Sequence, residues 1–283
     1  MQIQNKQIAR RIFGKIIAIS IISAILDVIL HAILAPTYNY DYPPSYFVQS
    51  GLLKPAAAIS LLIIFFLLSV VFVYIQENLP GSKLSKGIRF GVSFGGLWLL
   101  GVIGMSIFFG SPLSHEFAGG VSDCVSIIVL GILLGAFAAT DSPSRSEASL
   151  VRIISAIIII TVVFIIGQYL AFVLMSDTPY LDIYGLSTFV WTAILGLWAG
   201  VGYWLLREGI GTEKSLIWRS LYFGGFIIGI DWVLFNLFVL LFVAVPVLDP
   251  IILSVFNIVS VIIGMFVYET LFENRNAGYS KNA

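Results

Sequence analysis

Eight times along the chain, a run of about twenty residues passes with almost no charge. A helix needs about 20 apolar residues to cross the hydrocarbon core of a bilayer. In that medium the backbone must satisfy its own polar groups, so such runs fold as helices. The runs cover residues 13–35, 52–76, 87–109, 119–140, 150–175, 184–206, 217–245 and 250–272. Breakers separate them: "APTYNYDYPPSY", "NLPGSK", "GSPLSHE", "TDSPSRS", "SDTP", "REGIGTEK" and "VPVLDP". Composition agrees, with 59% hydrophobic and 11% charged residues. Soluble domains carry about 25% charged residues. A chain this apolar has too little polar surface to cover itself in water. The expectation is an all-α polytopic membrane protein of eight transmembrane helices, with the lipid bilayer as its main partner. The first run follows Lys6, Arg10, Arg11 and Lys15. It is longer than a signal-peptide core and lacks a small-x-small cleavage site, so it reads as a retained span.

The charges orient the spans. Lys and Arg favour cytoplasmic loops. With the N-terminus inside, 14 of the 15 basic residues fall on the inner side and only Lys54 on the outer. A miscounted span would invert every later loop and destroy this partition. Both termini are therefore expected in the cytoplasm. Asp41, Glu116, Asp177, Asp182 and Asp249 fall outside. Tyr38, Tyr40, Tyr42 and Tyr46 suit an outer interfacial belt. Glu77, Glu208, Glu269 and Glu273 end helices on the inner side and read as interfacial charges pairing in water.

The two halves echo one another. "RFGVSFGGLWLLG" from Arg89 matches "WRSLYFGGFIIGI" from Trp218, at an offset of 129. The same offset places Gly135 on Gly264, and an offset of 141 places Ser20 on Thr161 and Asp27 on Gln168. The expected build is two parallel four-helix repeats, residues 1–141 and 142–283, related by an axis along the membrane normal. Gly91, Gly95, Gly96, Gly131, Gly135, Gly196 and Gly200 let helix backbones approach closely.

One stripe is polar. Ser20, Ser23, Asp27 and His31 recur at three- and four-residue steps, which places them on one helix face. A central Asp facing lipid costs about 2.5–3.5 kcal/mol on insertion scales. The stripe should therefore face the bundle interior. Lys54, at the outer start of the second span, lies at a similar depth. So do His115 and Glu116, in the loop before the fourth span, and Asp123, about one turn into it. Three readings are open. Asp27 pairs with His31 or Lys54 and fixes helix packing. The group binds or relays protons or a small cation for transport. Or His31, His115, Asp27 and Asp123 hold a metal ion, without an HExxH signature. In the second half Gln168 and Phe172 stand where Asp27 and His31 stand in the first. That half carries Asp231 in mid-span instead, and an intramembrane Asp is a functional candidate by default.

Several classes drop out. Zero net charge argues against nucleic acid as a partner. Cys124 is the only cysteine, which leaves no intrachain disulfide and no cysteine metal cluster. No nucleophile motif, nucleotide loop or soluble catalytic domain points to an enzyme, and no cofactor is indicated. The functional expectation is proton- or ion-linked transport or a channel-like role for a small ion or solute. The alternatives are a membrane-embedded metalloenzyme and a non-catalytic assembly or lipid-interacting protein.

The Asp and His one turn apart on the first helix, with "KGIRFG" opening the third, resemble small uncharacterised prokaryotic four-helix membrane proteins. The likeness covers the first half well and the second loosely, since Gln168 and Phe172 depart from the pair. It implies a prokaryotic plasma membrane and a tandem duplication, and carries no activity over.

Overall fold

The computed structural model describes residues 2–34, 42–143, 149–175, 181–211 and 214–272, with side chains from Ile12 onward. Tyr38, Tyr40, Asp41, Arg145, Asp177, Glu273, Arg275 and Lys281 lie outside the described residues. Among the described residues, eight helices are long and apolar enough to cross a membrane, and the chain is an all-α polytopic membrane protein. They are α1 (Gln2–Leu34), α2 (Leu53–Ile75), α3 (Lys83–Phe109) and α4 (Leu113–Ala138). The second four are α5 (Leu150–Leu174), α6 (Leu186–Leu206), α7 (Leu216–Val239) and α8 (Leu248–Phe272). A 3₁₀ turn, Arg207–Ile210, extends α6.

Local chemistry sets the ends. Ser82 caps α3, its side chain accepting from the Ser85 N–H. Gly110 ends α3 with φ 66°, a left-handed conformation that glycine adopts without a Cβ clash. Pro112 then starts α4 at Leu113, six residues before the apolar run at 119. His115 and Glu116 therefore sit in the first turn of α4 and not in a loop. A carboxylate in a helix's first turn also suits its positive end.

The two halves share three pairings, and the first half adds a contact of α2 with α4. α1 packs on α2 and α4, and α3 on α4; α5 packs on α6 and α8, and α7 on α8. The halves meet through α3 with α6, α2 with α7 and α3 with α7. At one end of the bundle the Asn78 amide donates to the Gly209 carbonyl at 3.2 Å. At the other, the Ser45 N–H donates to Phe242 O at 3.1 Å. Corresponding helices thus share direction: α2 and α6 both finish at the first end. That end also carries Lys83, Lys86, Arg89, Arg207 and Arg219, and is the basic end of the bundle.

Glycines on two faces of α3 decide its neighbours. A Cβ on Gly87 would collide with the Gly131 carbonyl of α4, and one on Gly91 would lie 2.8 Å from Ile128 Cα. These positions, four apart, let the α3 and α4 backbones touch. On the other face, Gly96 and Gly104 lie under Trp198 and Trp191 of α6, and Gly101 under Phe235 of α7. Both indoles donate to α3 carbonyls, Trp191 to Leu100 O at 2.7 Å and Trp198 to Ser93 O at 3.1 Å. Small residues thus serve the joint within the first half and the joint between halves.

Candidate functional site

The polar stripe of α1 faces inward. Ser20, Ser23 and Asp27 are fully buried, while Ile22, Ile25, Val28 and Ile29 are exposed on the lipid side. The Ser20 hydroxyl donates to Ile16 O and lies 3.1 Å from Ser69 Oγ on α2. Ser20 is thus used in packing. Ser23 Oγ and both carboxylate oxygens of Asp27 make no close hydrogen bond among the described residues.

The α1–α4 contact brings Asp123 to this point. His31 Nδ1 lies 3.4 Å from Asp27 Oδ2, and His31 Nε2 lies 3.8 Å from Asp123 Oδ1. One ligand atom from each of the three residues falls within 4.8 Å of the others. Both carboxylates are buried, while the His31 side chain is 37% exposed. The imidazole is therefore the edge through which the pair meets its surroundings. Asp123 is ten residues into α4 and not one turn. It thus lies roughly 15 Å along the helix from its start. Glu116, two turns earlier on the same face, is also buried. His115 is half-buried in that first turn.

Lys54 does not join the cluster. It is exposed in the first turn of α2 and makes no ion pair or hydrogen bond among the described residues. Gln168 occupies a different place, buried in α5 with its Oε1 unpartnered. Its neighbour Phe172 packs edge-on against Phe108 at 5.9 Å, so aromatic surface fills the level that His31 fills in α1.

Asp231 forms a separate site where α7 meets α3. It is buried, and its Oδ1 accepts from Trp98 Nε1 at 2.6 Å. The Trp98 ring packs edge-on against Phe235 at 5.2 Å. Immediately before Asp231, Tyr222–Ile228 winds as a π-helix, in the segment that matches regular α-helix in α3. A π turn adds one residue without lengthening the ladder, and so re-aims the side chains beyond it.

Two hollows lie towards the other end. One, of about 60 Å³, sits between α3, α6, α7 and α8, and includes Trp191, Trp232, Asn236 and Asp249 in its lining. The other, of about 220 Å³, opens between α7 and α8 over Asn236 and Ser254. Neither is lined by Asp27 or Asp231. Beside the first, Tyr42 packs on Phe109 at 5.0 Å. Burial and the Asp249 carboxylate push the Tyr42 phenol above its ordinary range.

Two buried polar groups at the basic end escaped the sequence. Glu269, expected in water, is only 1% exposed and accepts from Arg219 at 2.8 Å and from the Tyr203 hydroxyl at 3.0 Å. Lys86 is also buried and donates to Gln76 O at 2.7 Å and to Ser142 Oγ at 2.8 Å. The clue to Glu269 was its register, one face of α8 with Met265 and Val261, both buried.

No protein family, curated protein or solved structure matches this chain.

Proposed function

We propose that this protein binds and passes a small cation, in proton- or ion-linked transport or a channel-like role. Asp27, His31 and Asp123 form its outer cation site, and Asp231 is a second intramembrane site. One observation carries the reading: two buried carboxylates from different helices converge on a half-exposed imidazole, and no lysine or arginine among the described residues neutralises them. Packing alone does not call for this. Buried charge without a partner costs several kcal/mol or more, and an Asn at either position would pack as well. Ser23 and Ser126, both buried without a partner, lie one turn deeper than Asp27 and Asp123 and extend the polar seam inward.

The proposal includes a setting. The protein sits in a prokaryotic plasma membrane with both termini cytoplasmic, so the cluster faces the outer side. The matching pairings of the two halves, and their shared direction, support descent from a duplicated four-helix unit. On that reading the charge pair belongs to the first copy and Asp231 to the second.

The test is cation flux in proteoliposomes. Asp27→Asn and Asp231→Asn are each expected to lower proton or metal-ion uptake, or conductance, by tenfold or more. Flux that is the same in wild type and both variants would sink the assigned roles.

A further inference from the structure

The α1–α4 seam buries two carboxyl groups beside a single imidazole. Asp27 is 0% and Asp123 4% exposed. No lysine or arginine among the described residues comes within ion-pair distance of either. With both acids ionised, one protonated imidazole would leave one buried carboxylate without a counter-charge, a costly arrangement that a proton shared by the acids or a bound cation relieves.

The geometry of His31 is specific. Its Nδ1 lies 3.1 Å from the main-chain oxygen of Asp27. An Nδ1–H donor satisfies that carbonyl and fixes the ring. The lone pair of Nε2 is then left facing Asp123 Oδ1 at 3.8 Å. That gap is too long for a hydrogen bond. It suits two ligands of one ion, because metal–ligand bonds of about 2.0–2.2 Å set ligand atoms roughly 3–4 Å apart. Histidines that ligate metals through one nitrogen typically donate the other N–H to a carbonyl or carboxylate. The Asp27 carboxylate, buried without a close hydrogen bond among the described residues, supplies the third member of a group whose ligand atoms lie within 4.8 Å of one another.

We propose that Asp27, His31 and Asp123 bind a divalent transition-metal ion of the Zn²⁺ class. Two carboxylates and a neutral imidazole balance a charge of +2 without remainder. A mixed nitrogen and oxygen set favours this class over Ca²⁺ or Mg²⁺, which take oxygen ligands. Metal reaches the site past the exposed edge of His31, and water completes its coordination. The inference rests on the proposed cation role and names the ion which that role leaves open.

The experiment uses the purified, untagged full-length chain in detergent, stripped with a chelator and titrated with Co²⁺ and then Zn²⁺. The expected result is one Co²⁺ per chain with visible d–d absorption bands, which fade as Zn²⁺ displaces it. His31→Gln and Asp123→Asn should each weaken binding by at least tenfold. Neither removes a packing contact of the bundle core, and a single symmetric elution peak for each confirms the fold. Zn²⁺ should raise the melting temperature of the wild type and leave that of both variants unmoved. No stoichiometric binding, or binding unchanged in both variants, overturns the proposal. Proton flux that depends on Asp27 in a chain that binds no metal overturns the metal site and leaves the transport reading standing. Stoichiometric metal with no cation flux in proteoliposomes does the reverse.

Discussion

Asp27 and Asp231 are both aspartates inside the membrane, yet they have opposite surroundings. Asp231 is held by one short bond from the Trp98 indole within an aromatic joint, whereas Asp27 faces the His31 imidazole at 3.4 Å and shares a ligand cluster with Asp123. Replacing Trp98 with Phe keeps most of the ring packing and removes that donor. Leaving a buried acceptor unsatisfied costs about 1–3 kcal/mol. Trp98→Phe should therefore lower the unfolding free energy in detergent by that amount. Asp231→Asn retains the acceptor oxygen and should stay within about 1 kcal/mol of wild type. A Trp98→Phe variant as stable as the native chain would deny the bond its structural role. Residue chemistry was only partly legible in the sequence. Asp27 and His31 announce themselves because four-residue spacing fixes their proximity on any helix. Asp123 is their partner only because α4 packs on α1, and that contact depends on side chains far from either. Lys54 stays out of the cluster because it lies exposed in the first turn of α2, whereas Asp123 lies ten residues into α4.

At the scale of the element, glycine patterns in α3 and α7 look alike and act differently. Both contain Phe-Gly-Gly, at 94–96 and 223–225. In α3 the second of these glycines, Gly96, lies under the Trp198 indole, so an added Cβ overlaps the ring. In α7 the corresponding Gly225 has open space around it, in a π-helical turn. Overpacking a tight joint costs about 1–3 kcal/mol, whereas Ala in open space gains helix propensity over Gly of up to about 1 kcal/mol. Gly96→Ala should thus lower the melting temperature in detergent, and Gly225→Ala should hold or raise it. Equal effects would show that the π turn has not changed the packing of α7. The sequence locates all eight helices, because apolar length is a property of each run alone. It misplaces the starts of α3 and α4 by several residues. There the polar first turns, "KLSK" and "LSHE", continue the helix beyond the apolar run. It does not reveal the π turn, which depends on how α7 fits against α3 and α8.

At the scale of the molecule, direction is the strongest claim, because it binds the basic residues, the helix count and the proposed duplication into one arrangement. Parallel halves put the starts of α3 and α7, at Lys83 and Leu216, on one side. The starts of α4 and α8, at Leu113 and Leu248, then lie on the other. Inverted halves would split each pair. Cys124 is the only cysteine, so a Cys124→Ser background permits single cysteines at Lys83, Lys214, Ser114 and Val247. Lys83 is exposed at the basic end, and Ser114 and Val247 are exposed at the other. A membrane-impermeant maleimide applied to intact cells should label Ser114→Cys and Val247→Cys and spare Lys83→Cys and Lys214→Cys until the membrane is opened. Labelling of all four with the opposite preference would reverse the orientation and move the Asp27–His31–Asp123 cluster to the cytoplasmic side, where it would sample the cell's own metal and proton pools. Labelling of Ser114→Cys and Val247→Cys from different sides would break the parallel arrangement itself, and with it the proposed duplication. The outer placement of the cluster thus stands or falls on labelling at helix ends that contribute none of its ligands.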